Sequence, residues 1–216
     1  MINILVHGLG QNESSWDKVK DILSKNEMIV ETPNLFEISK NYQLTYENLY
    51  RNFADYCNSF GDKINLVGLS LGGILTIDYA IEYPEKINAI ILSGTPYEVP
   101  KSLLFIQRII YKLMPKKVFE EIGCPKNRLI DLMKSMSTLN IPQKVKKIKC
   151  NTLVICGEKE ENNVNMKSAK LLNTNILNSQ FKIIKDAGHE INIEQPEEFA
   201  NTIKNFFFDD KNLEIR

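Results

Sequence analysis

The residues most able to do chemistry lie in segment 68–72, which reads Gly-Leu-Ser-Leu-Gly and is centred on Ser70. The apolar run 63–67 before it predicts a short strand, and the run 74–83 after it predicts a helix that stops at Pro84. A serine between glycines on a tight strand–helix turn is the arrangement that presents a nucleophile. The N-terminus of the helix would also direct its free N–H groups towards the group that Ser70 attacks.

Two further polar residues follow predicted strands. Glu160 comes after the apolar run 152–156, and His189 comes after the run 181–184. A serine needs a base to act as a nucleophile at neutral pH, and the base needs a carboxylate to orient it. The carboxyl ends of parallel strands meet at one edge of a sheet, where ligands bind. The sequence therefore predicts that Ser70, Glu160 and His189 meet there, in the chain order serine, acid, histidine.

The sequence identifies a residue to act as the base more clearly than a residue to act as the acid. The chain has only two histidines, and we expect His7 to shape a loop while His189 transfers protons. The acid stays open at this point, because Glu161 is adjacent to Glu160 and Glu98 follows the fourth predicted strand. The simplest alternative is that Glu160 is a solvated surface residue with no catalytic role, as is usual in a charged run such as 158–161.

Composition narrows the class of protein. The 216 residues are 43% hydrophobic with no net charge, which predicts one globular domain over 1–216 and argues against a nucleic-acid partner. Neither an 18-residue apolar run nor a basic leader is present, so we expect no membrane anchor and no signal peptide. Four scattered cysteines predict reduced thiols in a cytoplasmic protein. We expect no metal and no cofactor.

Short apolar runs alternate with amphipathic segments along the chain. This alternation predicts an α/β fold, with a doubly wound and mostly parallel sheet of about six strands. Ser14 or Ser15 is predicted to cap the first helix, Thr45 to cap the second, Gly61 to end it, and Pro196 to open the last. The predicted strands are 1–6, 28–30, 63–67, 87–92, 152–156 and 181–184.

One stretch breaks the alternation, and we call residues 98–149 the inserted segment. It predicts two amphipathic helices, 102–114 and 127–138, forming a helical lid between strands four and five. It holds twelve basic residues against four acidic ones, a net charge of +8, so the other 164 residues carry −8. The residues predicted to face inward are Leu103, Ile106, Ile109, Leu113, Leu132 and Met133. Those predicted to face outward or ring the entrance are Arg108, Lys112, Lys116, Lys117, Lys126 and Arg128.

Four segments, 7–10, 68–73, 153–160 and 187–189, carry a resemblance to a known family. In this order and spacing they make the sequence similar to the α/β-hydrolase superfamily of lipases, esterases and peptidases, over nearly the whole chain. Two departures stand out. The family usually has a strand hairpin before the His-Gly loop, whereas this chain starts directly on the strand. The family also most often has Asp at the position of Glu160.

The resemblance implies a role for each site residue. Ser70 would be the nucleophile, and His189 would be the general base and then the general acid. Glu160 would orient the imidazole, and the N–H groups of Leu9 and Leu71 would form the oxyanion hole. The Leu9 N–H is therefore expected to face Ser70.

The implied chemistry is acyl transfer to water on a small-molecule acyl substrate. A carboxylic ester is the first choice, and a thioesterase or a carbon–carbon bond hydrolase is the alternative. A non-catalytic binding protein on the same scaffold is the hypothesis of a different class. Trp16 and Tyr97 are predicted to line the acyl pocket. The basic charge of the inserted segment suggests an anionic carrier, coenzyme A or an acyl carrier protein.

Overall fold

The computed structural model describes residues 1–98, 108–161 and 163–208. Within these residues the strands form one sheet of six in the order β2-β1-β3-β4-β5-β6, and each adjacent pair is parallel. The strands are β1 (Ile2–Val6), β2 (Ile29–Glu31), β3 (Ile64–Leu69), β4 (Ile87–Ser93), β5 (Asn151–Gly157) and β6 (Ser179–Ile184). The predicted six-stranded parallel α/β fold is confirmed.

The helices cover both faces of this sheet. They are α1 (Asp17–Lys25), α2 (Tyr46–Asn58), α3 (Leu71–Glu82), α4 (Lys116–Ile122), α5 (Lys126–Ser135), α6 (Ile141–Lys144), α7 (Val164–Asn175), α8 (Ile191–Glu194) and α9 (Pro196–Phe208). Side chains of α2, α3 and α7 join one buried cluster, and those of α1 and α9 join the other. Adjacent strand residues alternate between the clusters: Val6 and Leu66 lie on one face, Leu5 and Val67 on the other. Because both faces are covered, β3 is buried at every residue.

The helix ends follow the sequence predictions in part. The Thr45 hydroxyl accepts the Asn48 N–H at 3.2 Å and caps α2, and Pro196 opens α9, as predicted. The first cap was predicted wrongly. Asn12, not Ser14 or Ser15, begins a short 3₁₀ turn before α1, because its side chain accepts the Ser14 N–H at 3.0 Å. The end of α2 also differs, since the helix stops at Asn58 before reaching Gly61.

The inserted segment is helical where it is described. Residues 108–113 are helical, and α4, which the sequence analysis did not predict, follows before α5. Leu132 and Met133 are fully buried as predicted, whereas Leu103 and Ile106 lie outside the described residues. Ile109 and Leu113 were predicted wrongly, since they are 43% and 81% exposed. Four of the six residues 108–113 are apolar, so the sequence pattern alone could not select the inward face.

The basic side chains of the inserted segment divide into two groups. Lys112, Lys116 and Lys117 are exposed as predicted. Arg128 is half-buried and donates to the carbonyl oxygens of Ser39 and Tyr42 at 2.7 and 3.2 Å, and Arg108 and Lys126 are half-buried as well. Across the described residues, none of the helices has the length and apolar character needed to cross a membrane.

Candidate active site

The turn at Ser70 has a backbone conformation that few side chains adopt. Ser70 lies at φ 54° and ψ −111°, between the end of β3 and the start of α3. A Cβ atom on Gly72 would lie 2.2 Å from the Val6 carbonyl oxygen, and one on Gly68 would lie 2.4 Å from the Gly72 carbonyl oxygen. Only glycine fits at these two positions, because the atoms in the way belong to the backbone. The Ser70 N–H donates to the Ser93 carbonyl at 2.9 Å and ties the turn to the end of β4.

His7 braces the loop that follows β1. Its Nε2 accepts the Leu35 N–H at 3.0 Å, so Nδ1 carries the proton and donates to the Gly8 carbonyl at 2.8 Å. Burial lowers the pKa of His7 to about 4, against a smaller opposing effect of the hydrogen bond to Gly8. His7 is therefore neutral at neutral pH, with both nitrogens engaged. This is the loop-shaping role that we expected for it.

Two backbone N–H groups belong to residues in the segments that meet at Ser70. A Cβ atom on Gly8 would lie 3.4 Å from the Ser70 Cβ, which brings the loop after β1 against the nucleophile turn. Leu9 comes next in that loop, and Leu71 is the first residue of α3. Within the described part of the chain, neither the Leu9 N–H nor the Leu71 N–H has a hydrogen-bond partner. Two unpaired donors near a serine are what an oxyanion hole requires.

Glu160 and His189 are paired at the same edge of the sheet. Glu160 follows β5 and is only 4% exposed, and its Oε1 lies 3.4 Å from Nδ1 of His189, which follows β6. The two alternative acids, Glu98 and Glu161, are exposed, and the described residues show no contact of either with His189. The structure thus brings Glu160 to the imidazole and leaves the other two in solvent.

The surroundings of this pair favour its charged form. Burial raises the pKa of Glu160, but hydrogen bonds from His189 and Asn165 and the charge of His189 outweigh it, so the pKa is lowered. The hydrogen bond to Glu160 raises the pKa of His189. Burial opposes that increase, and the carboxylates of Glu160, Glu190 and Glu194 add to it. Glu160 is therefore ionised at neutral pH, and His189 is more basic than an ordinary histidine.

Ser93 and Gly94, at the end of β4, lie between the His189 imidazole and the Ser70 turn. Gly94 follows Ser93, the residue whose carbonyl receives the Ser70 N–H. Gly94 has φ +53°, and a Cβ atom there would lie 2.8 Å from Cε1 of His189. The His189 ring therefore lies against the residue next to the one that holds the Ser70 turn. Ser70 and the His189 ring therefore both lie near the adjacent carboxyl ends of β3 and β4.

Three residues near the site were not predicted from the sequence. Asn165 donates a side-chain hydrogen bond to Glu160, and the Cys156 thiol lies 3.6 Å from the second carboxylate oxygen of Glu160. The hydroxyl of Tyr111 would lie 3.3 Å from a Cβ atom on Gly10, in the loop that carries Leu9. Asn165 and Tyr111 lie outside the four segments that carry the resemblance, and Cys156 lies within segment 153–160 without a predicted role.

The two residues predicted to line the acyl pocket lie in different surroundings. Trp16 is fully buried in the core against Phe199, with ring centroids 5.7 Å apart. Its side chain offers no surface to a substrate, so this assignment is corrected: the apolar face of α1 points into the core rather than to a cleft. Tyr97, just after β4, is half-buried and packs against the larger core cluster.

A parallel sheet that carries a serine turn, with an acid–histidine pair on later strands, defines the α/β-hydrolase class. The family model described as alpha/beta hydrolase fold matches residues 4–146, and the chain belongs to that family.

Several known proteins are similar to it. A protein of Bacillus subtilis (strain 168), whose name proposes a 2-succinyl-6-hydroxy-2,4-cyclohexadiene-1-carboxylate synthase, is 24% identical over 253 aligned positions, covering 94% of this chain and 89% of that protein. The alpha/beta hydrolase domain-containing protein VTE7 of Arabidopsis thaliana is 25% identical over 65% of this chain, which spans about half (52%) of that protein. An esterase structure from Exiguobacterium antarcticum superposes with a TM-score of 0.80 at 14% identity, covering 95% of this chain and 91% of the esterase.

Proposed function

We propose that this protein is a serine hydrolase that cleaves a carboxylic ester through an acyl-enzyme, with Ser70, His189 and Glu160 as its triad. The observation that carries the proposal is the buried Glu160 carboxylate paired with His189, at the sheet edge where the Ser70 turn lies. A buried carboxylate is unfavourable unless it is paired and hydrogen-bonded. A catalytic triad is the arrangement that makes use of such a pair beside a serine on this turn.

The reaction proceeds in two halves. The Ser70 Oγ attacks the ester carbonyl carbon while His189 Nε2 takes the hydroxyl proton, and Glu160 stabilises the imidazolium that forms. The tetrahedral intermediate collapses, the carbon–oxygen bond to the alcohol breaks, and His189 returns the proton to the leaving alkoxide. A water molecule then attacks the acyl-enzyme, again losing its proton to His189. Collapse of the second intermediate releases the carboxylic acid and returns the proton to Ser70.

The free N–H groups of Leu9 and Leu71 would stabilise the oxyanion in both intermediates. Loss of one such donor typically reduces transition-state stabilisation by roughly 3–4 kcal/mol. Because α3 begins at Leu71, the partial positive charge of its N-terminus adds to the same effect. Because both donors are backbone groups, such an oxyanion hole would need little reorganisation during the reaction.

The decisive experiment combines labelling with turnover. We expect hydrolysis of p-nitrophenyl esters of graded chain length, and labelling of Ser70 alone by a fluorophosphonate. Ser70→Ala should lower turnover by roughly four to six orders of magnitude. Ser137→Ala, at a serine on the inserted segment, serves as the matched control and should behave as wild type. Full esterase activity in Ser70→Ala would disprove the proposal, and no turnover of any acyl substrate would favour a binding protein on this scaffold.

A second candidate function is the cleavage of an anionic acyl substrate. That substrate would be a thioester of coenzyme A or of a carrier protein, or a carboxylate that is cleaved at a carbon–carbon bond. It is supported by exposed Lys112 and Lys116, neither of which forms an ion pair with a described residue, and by the carboxylate in the name of the Bacillus relative. The four cysteines are free thiols, which supports the predicted cytoplasmic location of the protein, where such substrates would be available. In this candidate the inserted segment acts as a lid whose charge attracts the substrate.

Salt dependence separates the two candidates. The Debye length falls from about 10 Å at 0.1 M salt to about 3 Å at 1 M, so kcat/KM for an acyl-CoA should fall steeply while that for a neutral short-chain ester barely changes. Replacing two neighbouring exposed lysines together, Lys116→Glu with Lys117→Glu, should reproduce the effect of high salt. Equal salt responses for the two substrates would leave the neutral ester as the substrate class.

A further inference from the structure

The Glu160 carboxylate accepts more hydrogen bonds than a triad needs. The Asn165 side-chain amide donates to Oε1, the same oxygen that lies 3.4 Å from Nδ1 of His189. Nδ2 of Asn165 and Nδ1 of His189 are 3.3 Å apart. Nδ1 carries a proton when it bonds to Glu160, so these two nitrogens are donors that share one acceptor. The Cys156 thiol occupies the other oxygen, Oε2, at 3.6 Å.

We propose that Asn165 is a positioning residue that holds the Glu160 carboxylate against His189; this inference rests on the proposed function. Glutamate has one more rotatable bond than the aspartate that is usual in this family, so its carboxylate has more freedom to leave the imidazole. A second donor on Oε1 restricts that freedom. The amide is uncharged, so it holds the carboxylate without cancelling the negative charge that the imidazolium needs.

The backbone of Asn165 is itself fixed. Asn163 caps α7, and its side-chain oxygen accepts the N–H of Asn165 at 2.8 Å and that of Met166 at 3.4 Å. The cap sets the first turn of the helix, and the Asn165 side chain reaches back towards Glu160 at the end of β5. The two asparagines therefore have separable roles, one for the helix and one for the carboxylate.

The other charged groups near His189 do not replace this contact. Glu190 and Glu194 contribute only through their negative charge, and the Glu194 carboxylate lies 3.6 Å from Lys159 and accepts the Gly188 N–H at 2.9 Å. Asn165 is the residue, among those described, whose side chain lies within hydrogen-bond distance of both members of the pair.

The test measures the pKa of His189 directly. The chain has two histidines, and His7, with a pKa of about 4, is readily distinguished in an NMR titration of the imidazoles. Asn165→Leu should lower the pKa of His189, because the freed carboxylate stabilises the imidazolium less. It should also lower kcat/KM by about tenfold, as expected for the loss of one hydrogen bond to a charged group. Asn165→Asp should instead raise the pKa of His189, because it adds a negative charge, while also lowering kcat/KM.

Asn163→Ala is the matched control. It should lower Tm by removing the cap, and leave the pKa of His189 unchanged. The inference is wrong if Asn165→Leu leaves both the pKa of His189 and kcat/KM at wild-type values, or if Asn163→Ala moves that pKa equally far. The titration needs no substrate, so it tests the contact even if the wild type hydrolyses no ester. If turnover depends on Ser70 but Asn165→Leu has the wild-type kcat/KM and the wild-type pKa of His189, this inference is wrong and the proposed function stands.

Discussion

The two halves of the site are positioned by different means. On the nucleophile side, backbone atoms in direct contact hold Ser70, since Gly72 lies against the Val6 carbonyl and the Ser70 N–H bonds to Ser93. On the acid side, hydrogen bonds between side chains hold Glu160. The nucleophile side therefore tolerates almost no change of shape. The acid side tolerates changes of shape, and it is sensitive to the loss of a donor or a charge.

Apart from the loss of Ser70 itself, the largest expected effect lies on the acid side. Glu160→Gln should lower kcat by about 10⁴-fold, because an amide favours the wrong tautomer of His189. Glu98→Gln and Glu161→Gln, at exposed positions, are matched controls and should retain wild-type turnover. If Glu98→Gln were the crippling change instead, the acid would follow β4 and the acid side would have to be assigned again.

On the nucleophile side we expect a loss of stability. Gly72→Ala places a methyl group on the Val6 carbonyl oxygen and should lower the free energy of unfolding by about 3 kcal/mol, as overpacking does. Gly61→Ala is the matched control, since a Cβ atom there would meet nothing within 4 Å. Urea unfolding of both variants measures the difference. Equal stability of the two would show that the turn is not held by backbone contact.

A smaller effect is expected from the strain at Ser70 itself. Ser70→Gly removes the penalty of a positive φ, about 1–3 kcal/mol, and adds the entropic penalty of glycine. The net result should be a protein about 1 kcal/mol more stable than Ser70→Ala, in which the strain remains. Thermal unfolding of the pair, both inactive, reports this difference free of any effect on turnover. A less stable glycine variant would mean that the turn is unstrained.

The smallest effect concerns charge around the imidazole. Glu190→Gln removes one of the carboxylates that raise the pKa of His189, so that pKa should fall. The base must be neutral to accept a proton, so the acidic limb of kcat/KM should move to lower pH while the plateau stays constant. Gln11 can still donate to the new amide oxygen, which preserves the local contact. Glu85→Gln, on the exposed turn after α3, is the control, and an equal shift in both variants would exclude a local charge effect.

The difference between the two halves explains what the sequence could predict. The strands were evident because a strand covered on both faces is a continuous apolar run, and the Ser70 turn was evident because backbone crowding requires glycine there. The role of Asn165 was not evident, because a hydrogen bond between side chains on two elements depends on how those elements pack against each other.

Other errors have the same kind of cause. Asn12 and Ser14 are both residues that cap helices, and the geometry of the preceding loop decides between them. Ile109 and Leu113 belong to a helix in which most of the described residues are apolar, so its orientation comes from packing rather than from pattern. Trp16 was assigned to a pocket by its position after β1, yet Phe199, far along the chain, determines where the ring lies.

The strand order also has a consequence for how the site is assembled. The loop with His7 follows β1 and the turn with Ser70 follows β3, whereas His189 follows β6, at the edge of the described sheet. A chain in which β6 has not docked on β5 would therefore have the Ser70 turn without His189 beside Glu160. Under the proposed function such a chain would be inactive, and docking of this edge strand would complete the site.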